Sequence, residues 1–166
     1  MIGGIKKNIS VVIPNYNGEQ LLADYLPYTY GALRNAEVEY EIIIVDDCST
    51  DDSVRYIKRN YPDIKLIENI QNKGFSFSCN QGIAEAKFEL ILLLNSDVKL
   101  SPDYLSEQFR YFSEPDTFGV MGRIIDMEGD GIQDAGRVPK FNGFKLKTEF
   151  YYSLNPKDSN VTLYLS

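Results

Sequence analysis

The 166-residue chain contains no histidine. That absence excludes Ser-His-Asp hydrolysis, histidine-ligated zinc and histidine general-base chemistry from these residues. Cysteine is scarce: Cys48 and Cys79 form neither a metal-ligand spacing nor a disulfide framework. With no basic neighbour to mark a reactive thiolate, both are expected to be structural thiols in a reducing compartment. Positive charge is short as well, 17 Lys and Arg against 24 Asp and Glu, a formal net charge of −7. That balance argues against a nucleic-acid partner, which demands a clustered basic surface. It leaves room for a small anionic ligand, because a bound divalent cation inverts the local field. No apolar run approaches the ~20 residues of a transmembrane segment, and residues 1–7 lack a signal-peptide core, so a cytoplasmic location is expected.

What the chain does have is ordinary globular composition, 43% hydrophobic and 25% charged, at a length expected for one domain. Its most informative feature occurs twice. The run Glu41-Ile42-Ile43-Ile44-Val45 ends abruptly in Asp46-Asp47, and Glu89-Leu90-Ile91-Leu92-Leu93-Leu94 ends in Asn95-Ser96-Asp97. A short continuous apolar run predicts a strand buried on both faces, as in a parallel sheet covered by helices. Ligands of such sheets sit beyond the carboxyl ends of the strands, so the two polar tips are expected to meet around one ligand.

The remaining pattern supports alternation of strand and helix. Ile9 to Ile13 is β-branched and stops at Pro14. Leu21, Leu22, Tyr25, Leu26 and Leu33 give a helical face, with a kink expected at Pro27. Ser49-Thr50-Asp51-Asp52 has capping-box spacing ahead of Val54, Ile57 and Tyr61. Ile64 to Ile67 predicts a third strand, and a helix is expected from Ser76 to Lys87. Ser101-Pro102 is the expected start of another helix, buried through Leu105, Phe109 and Phe112. Phe118-Gly119-Val120-Met121-Gly122 predicts a fifth strand. The core is a mostly parallel α/β sheet with right-handed crossovers over residues 1–125. Beyond it the rhythm is lost: Gly129-Asp130-Gly131 and Asn142-Gly143 mark turns, and Tyr151-Tyr152 and Val161 to Leu165 suggest short strands or loops. The chain closes inside an apolar run, so a domain truncated at its C-terminus is expected, with 126–166 as the start of a further region.

Two adjacent acids at a strand tip repel unless something cationic or hydrogen-bonding is nearby, so Asp46-Asp47 point to a site, although capping the next helix would also use them. Asn95-Ser96-Asp97 alone is an ordinary Asx turn; beside the first tip it suggests oxygen ligands for Mg²⁺ or Mn²⁺. In Asn72-Lys73-Gly74, Lys73 could balance a phosphate and Gly74 allow close backbone approach, where the plainer reading is a solvated turn. Gly82, after Asn80-Gln81, costs a helix about 1 kcal/mol against alanine, which close packing on the sheet or on a ligand would explain. Tyr16 could stack on a base; a buried tyrosine at a strand end is the simpler account.

Taken in order, Val11-Val12-Ile13-Pro14-Asn15-Tyr16-Asn17, Ile44 to Asp51, Asn72-Lys73-Gly74, Asn80-Gln81-Gly82 and Leu93 to Asp97 resemble the family 2 glycosyltransferases of GT-A fold. The Asn-Ser-Asp-Val form of the last motif is most similar to rhamnosyltransferase-like members. The resemblance implies that Pro14, Tyr16 and Asn17 line a nucleotide pocket, and that Asp46 and Asp47 hold base and ribose. It places the loop Asn72, Lys73 and Gly74 beside them, with Asn80, Asn95 and Ser96 also at the substrate. Asp97 matches the cation-binding aspartate of an Asp-x-Asp motif whose first acid is here Asn95.

The implied reaction is inverting transfer from a nucleotide-diphosphate sugar to the hydroxyl of a saccharide or lipid-linked acceptor. Polysaccharide assembly at the inner face of a membrane is the setting it suggests. The family's base lies in a later Glu-Asp-type motif that is not present here, so no catalytic residue is assigned. A non-catalytic nucleotide-sugar-binding or interaction module is the alternative, which Asn95 and the missing base favour. A nucleotidyltransferase would need a glycine-rich phosphate loop after the first strand, which Asn15-Tyr16-Asn17-Gly18-Glu19 does not supply.

Overall fold

The computed structural model describes residues 8–122, 124–125, 132–134, 137–143 and 145–150. The chain divides into two compact units, Met1–Ser113 and Glu114–Ser166. The first is built on four parallel strands, β1 (Ile9–Asn15), β2 (Tyr40–Asp46), β3 (Lys65–Glu68) and β4 (Leu90–Leu93), in the order β3-β2-β1-β4. Helices α1 (Glu19–Ala36), α2 (Ser53–Asn60) and α3 (Phe75–Ala84) make the crossovers. After β4, α4 (Tyr104–Phe109) tightens into a 3-10 turn at Arg110–Ser113.

Alternation along the strands sorts the core into two layers. Val11, Ile13, Ile42 and Ile44 pack in one cluster with Leu22, Leu26 and Leu33 of α1, Ile57 of α2, and Leu105 and Phe109 of α4. Val12, Ile43 and Val45 form the other cluster, with Ile67, Ala86 and Ile91 packed against it. The first two crossovers step outward from β1 and the third returns across it, so a right-handed connection puts α3 on the opposite face. Gly82 permits its close approach, since a Cβ there would lie 2.4 Å from Val12 Cγ1 and 3.1 Å from Val45 Cγ2. Gly82→Ala is expected to cost about 1–3 kcal/mol through overpacking, against about 1 kcal/mol of helix propensity gained. A urea midpoint above that of the unaltered protein would contradict this account.

Several expectations are corrected. Of the two apolar runs, only that of β2 is buried on both faces near its tip; β4 lies at the edge of the four-stranded sheet, where Leu93 is 45% exposed. Ser49 does not cap α2, which starts at Ser53 after Asp52 with no side-chain cap. Its hydroxyl is taken by Asp46 instead. Residues 101–103 form a turn before α4, closed by a 3.1 Å bond from the Tyr104 N–H to the Ser101 carbonyl, and Asp103 takes the N-cap position. The Pro102 carbonyl accepts a bond from Asn35 Nδ2 of α1 at 2.9 Å. Helix α1 runs through Pro27, which is exposed, so the carbonyl that loses its partner there can turn to water.

In the second unit residues 118–122 form no strand, and Phe118 is exposed. Instead β5 (Ile124–Ile125) pairs antiparallel with β6 (Ile132–Asp134), and β7 (Arg137–Asn142) pairs antiparallel with β8 (Lys145–Phe150). The Asn142-Gly143 turn joins the latter pair, with Gly143 at φ 63°. Expectations for residues 129–131, 151–152 and 161–165 lie outside the described residues.

Candidate functional site

Strand β1 lies between β2 and β4, and the chain leaves toward β2 first and returns to β4 later. The carboxyl ends of β1 and β4 therefore flank a topological switch point, where parallel sheets open a crevice for ligands. Three polar tips converge on this edge: Asn15-Tyr16-Asn17, Asp46-Asp47 and Asn95-Ser96-Asp97.

The tip of β2 is buried and fully furnished with donors. Asp46 Oδ1 accepts from Asn15 Nδ2 at 2.8 Å and from Ser49 Oγ at 2.6 Å, while Oδ2 accepts from the Ser49 N–H at 2.9 Å. Asp47 Oδ1 accepts from Asn69 Nδ2 and from the Lys73 N–H, both at 2.9 Å. Its Oδ2 accepts from the N–H groups of Lys73 at 3.0 Å and Gly74 at 2.7 Å. The mutual repulsion of the two acids is thus met by hydrogen bonds from the chain itself. Burial opposes ionisation of Asp47, yet the bonds from Lys73, Asn69 and Gly74 outweigh it and hold the carboxyl below the usual aspartate value.

The first two tips are laced together. Asn17, at φ 51°, accepts the Thr50 N–H on Oδ1 at 2.7 Å and donates its own N–H to Ser49 Oγ at 2.8 Å. Helix α1 starts behind Gly18, which has no side chain to cap it; Asp51 Oδ2 takes the Glu19 N–H at 3.0 Å and Ser53 Oγ the Gly18 N–H at 3.1 Å. One loop therefore caps the helix of another. Gly18 is required by crowding, because a Cβ would lie 2.3 Å from Asn15 Oδ1. Burial also opposes the charge on Asp51, but the Ser53 hydroxyl and the Glu19 and Ser53 N–H groups hold its carboxyl low.

The sign of the pH effect follows. Both carboxyls have folded values below their unfolded ones, so their stabilisation is complete above the ordinary 3.8 and is lost as pH falls below it. Acid unfolding is expected to steepen below about pH 4, and Asp47→Asn to flatten that limb in urea titrations repeated across pH. An unchanged acid slope in the variant would contradict the assignment.

The remaining candidates are open. Pro14 is buried in β1, but Tyr16 beside it is 55% exposed, which overturns the simpler account of a buried ring. Asn72 and Lys73 are exposed on the loop that Asp47 gathers in, and Gly74 holds φ 86° ahead of α3. Lys73 Nζ stands 5.5 Å from the centre of the Phe77 ring and makes no ion pair among the described residues. Asn95 and Asp97 are exposed and Ser96 half-buried; a 3.4 Å bond from the Val98 N–H to the Asn95 carbonyl closes their turn. This third tip lies about 10 Å, two strand spacings, from the tip of β2. Asn80 is exposed on α3, and no hydrogen bond joins it to the other candidates.

No group of three or more Cys, Asp or Glu that could enclose a metal exists among the described residues. The donors at the third tip are one carboxylate and one amide, a hard-oxygen set suited to an ion that takes its other ligands from phosphates and water. Burial pushes the Cys79 thiol up, in keeping with a structural role. No helix among the described residues is long and apolar enough to cross a membrane.

Sequence reasoning missed Asn15, Ser49, Asp51, Ser53 and Asn69, which brace the site. The available signal was the need of buried carboxylates for donors, which nearby Asn and Ser residues meet.

Similarity to known proteins agrees with this geometry. The chain is 33% identical over 128 residues to a poly(ribitol-phosphate) beta-glucosyltransferase of Bacillus spizizenii, a match covering 75% of this chain and 20% of that protein. Among solved structures, S. aureus TarS 1-349 superposes with a TM-score of 0.64 at 21% identity, over 81% of this chain and 41% of that one. A mannosyltransferase from Pyrobaculum calidifontis in complex with GDP-Man and Mn²⁺ superposes with a TM-score of 0.58 at 23% identity, over 64% and 32%. The chain thus spans well under half the length of these relatives, and its parallel sheet flanked by helices is the GT-A fold. With the family model matching residues 10–162 across every tip of the site, the chain belongs to glycosyl transferase family 2.

Proposed function

We propose that this chain is the donor-binding part of an inverting glycosyltransferase that moves a sugar from a nucleotide diphosphate to an acceptor hydroxyl. The observation that carries the reading is the convergence of three polar tips at the switch point, one of them offering an exposed aromatic ring and another an exposed carboxylate. Tyr16 would stack on the base above Pro14, with Asn17, Asp46 and Asp47 shaping the floor beneath base and ribose. Asn72, Lys73 and Gly74 would border the same pocket, and Asn80 would lie along it on α3. Asn95 and Ser96 would meet the donor on the far side. The separation of about 10 Å between the β2 and β4 tips suits a ligand with an aromatic base at one end and a diphosphate at the other.

Asp97, with Asn95 beside it, would hold Mg²⁺ or Mn²⁺ together with the diphosphate. Such an ion, when bound, offsets charge on the departing phosphate. Lys73 would add a second positive charge, fixed before the reaction begins. The acceptor of this reading is a saccharide or a lipid-linked acceptor, and its setting is polysaccharide assembly in the cytoplasm at the inner face of a membrane.

Calorimetric titration tests it. At least one of UDP, dTDP or GDP is expected to bind one site with Mn²⁺ present, with a Kd between about 1 µM and 1 mM, the usual range for enzyme substrates. No heat from any of the three would sink the proposal. Asn95 in place of an acid favours a second reading, a binding module without catalysis. Slow Mn²⁺-dependent hydrolysis of a bound sugar nucleotide would exclude that alternative.

A further inference from the structure

We propose that one face of the β7–β8 hairpin is a docking surface for an acceptor that carries phosphates along its length, a linear polyol- or sugar-phosphate polymer. This rests on the donor-binding reading above and adds the acceptor's class to it. Residues 137–150 hold four Lys and Arg and one Glu, a net charge of +3, whereas the other 152 residues hold 13 against 23, a net −10. Two residues separate the paired Asn142 and Lys145, and Gly143 at φ 63° permits so tight a connection. The register sets Lys140 directly opposite Lys147, and Asn142 opposite Lys145. Because residues alternate between the faces of a strand, these four share one face with Val138 and Glu149. Pro139, Phe141, Leu146 and Phe150 take positions of the other face.

Like charges directly opposite in an antiparallel pair are destabilising, so the hairpin sets Lys140 and Lys147 together against its own stability. The acid on this face, Glu149, is opposite Val138 rather than a lysine. An anion bound across the lysine pair would reverse the sign of that interaction. Lys145 and Lys147 are two residues apart on one strand, about 7 Å along it, so positive positions recur at an interval instead of forming a point. That arrangement suits successive phosphates of a thin chain. The three lysines of this face fall short of the about 4–8 that hold a segment to anionic lipid. They also fall short of the roughly 6–10 phosphate contacts made on duplex DNA. The acidic remainder of the chain repels a broad anionic surface, while a single line of phosphates can meet this face alone.

Fluorescence anisotropy of a labelled poly(glycerol phosphate) oligomer, titrated with the whole chain, tests the surface. Affinity is expected to fall about 15-fold between about 50 and 200 mM salt, since about three neutralised phosphates give a logarithmic slope near −2. Lys140→Gln with Lys147→Gln is expected to weaken binding about tenfold and bring the slope to about −0.7. Lys58→Gln with Lys87→Gln, an equal change of charge in the first unit, is expected to stay within about twofold. Equal losses from the two pairs, or no binding by the unaltered chain, would overturn the proposal. So would a neutral dextran oligomer bound as tightly as the polymer. Single-stranded DNA, or phosphatidylcholine vesicles containing phosphatidylglycerol, held more tightly than the polymer through the same two lysines would reassign the face and overturn it too. The hairpin variant is expected to melt no earlier than the unaltered chain, because it removes a like-charged pair. Should it melt early, Lys145→Gln decides, being opposite an uncharged residue: about a threefold loss supports the proposal and no loss sinks it. Polymer binding without nucleotide binding would overturn the donor reading and leave this surface standing, whereas nucleotide binding without polymer binding would remove only the surface.

Discussion

Whichever of UDP, dTDP or GDP binds is expected, at saturation with Mn²⁺, to raise the Tm by about 5–10 °C, and Asp97→Ala to abolish the manganese-dependent part of that rise. Ligand at a hundred times its Kd stabilises by about 2.7 kcal/mol, and a domain of this size gains about 2–4 °C per kcal/mol. Asp97 can be removed cleanly because it is exposed at the tip of β4 and engages in no hydrogen bond or ion pair within the described residues. Its loss should leave the ligand-free protein within about 0.5 kcal/mol of the original. Differential scanning fluorimetry with UDP, dTDP or GDP alone, Mn²⁺ alone and each nucleotide with Mn²⁺, on both proteins, isolates the metal-dependent increment. An Asp97→Ala variant that keeps the full increment would move the cation away from this tip.

The opposite pattern is expected at the neighbouring tip. Asp46→Ala should destabilise the ligand-free protein by about 3–5 kcal/mol, since three buried donors are stranded at about 1–3 kcal/mol each and the Ser49 hydroxyl can turn elsewhere. Asn15 Nδ2, the Ser49 N–H and the Ser49 hydroxyl all lose their acceptor. Against a total stability of about 5–15 kcal/mol, such a loss is a large fraction of the whole. Equilibrium urea unfolding would measure it, and a loss under about 1 kcal/mol would show that the three bonds do not brace the tip.

Much of this was legible in the sequence, for identifiable reasons. The apolar run Ile42 to Val45 has one solution in an alternating chain, a central parallel strand, and that is where it lies. The run Leu90 to Leu94 looks the same in composition, yet it sits at the edge of the four-stranded sheet. Composition reports what a strand can bury, while its neighbours decide what it does bury. The convergence of the tips was legible because parallel strands joined by helical crossovers put their carboxyl ends on one edge of the sheet. The hydrogen-bond partners were not. Ser49 has the spacing of a helix cap, but a buried carboxylate three residues back competes for its hydroxyl and prevails. Nor did the sequence show that the side-chain oxygen of Asn17 holds the Thr50 N–H of the neighbouring loop. Phe118 to Gly122 has strand composition without a strand, because nothing pairs with it among the described residues.

The lacing of the first two loops has a consequence for how such a site can diversify. Asn15, Asn17, Ser49, Asp51 and Ser53 hold one another, so a change at any of them is felt by the others. The tip at Asn95 and Asp97 carries no such obligations. Change is therefore channelled: side chains at the β4 tip can be exchanged without first repairing the fold, while those of the first two loops constrain one another. Asn95 and Asp97 sit on the side where change is cheap.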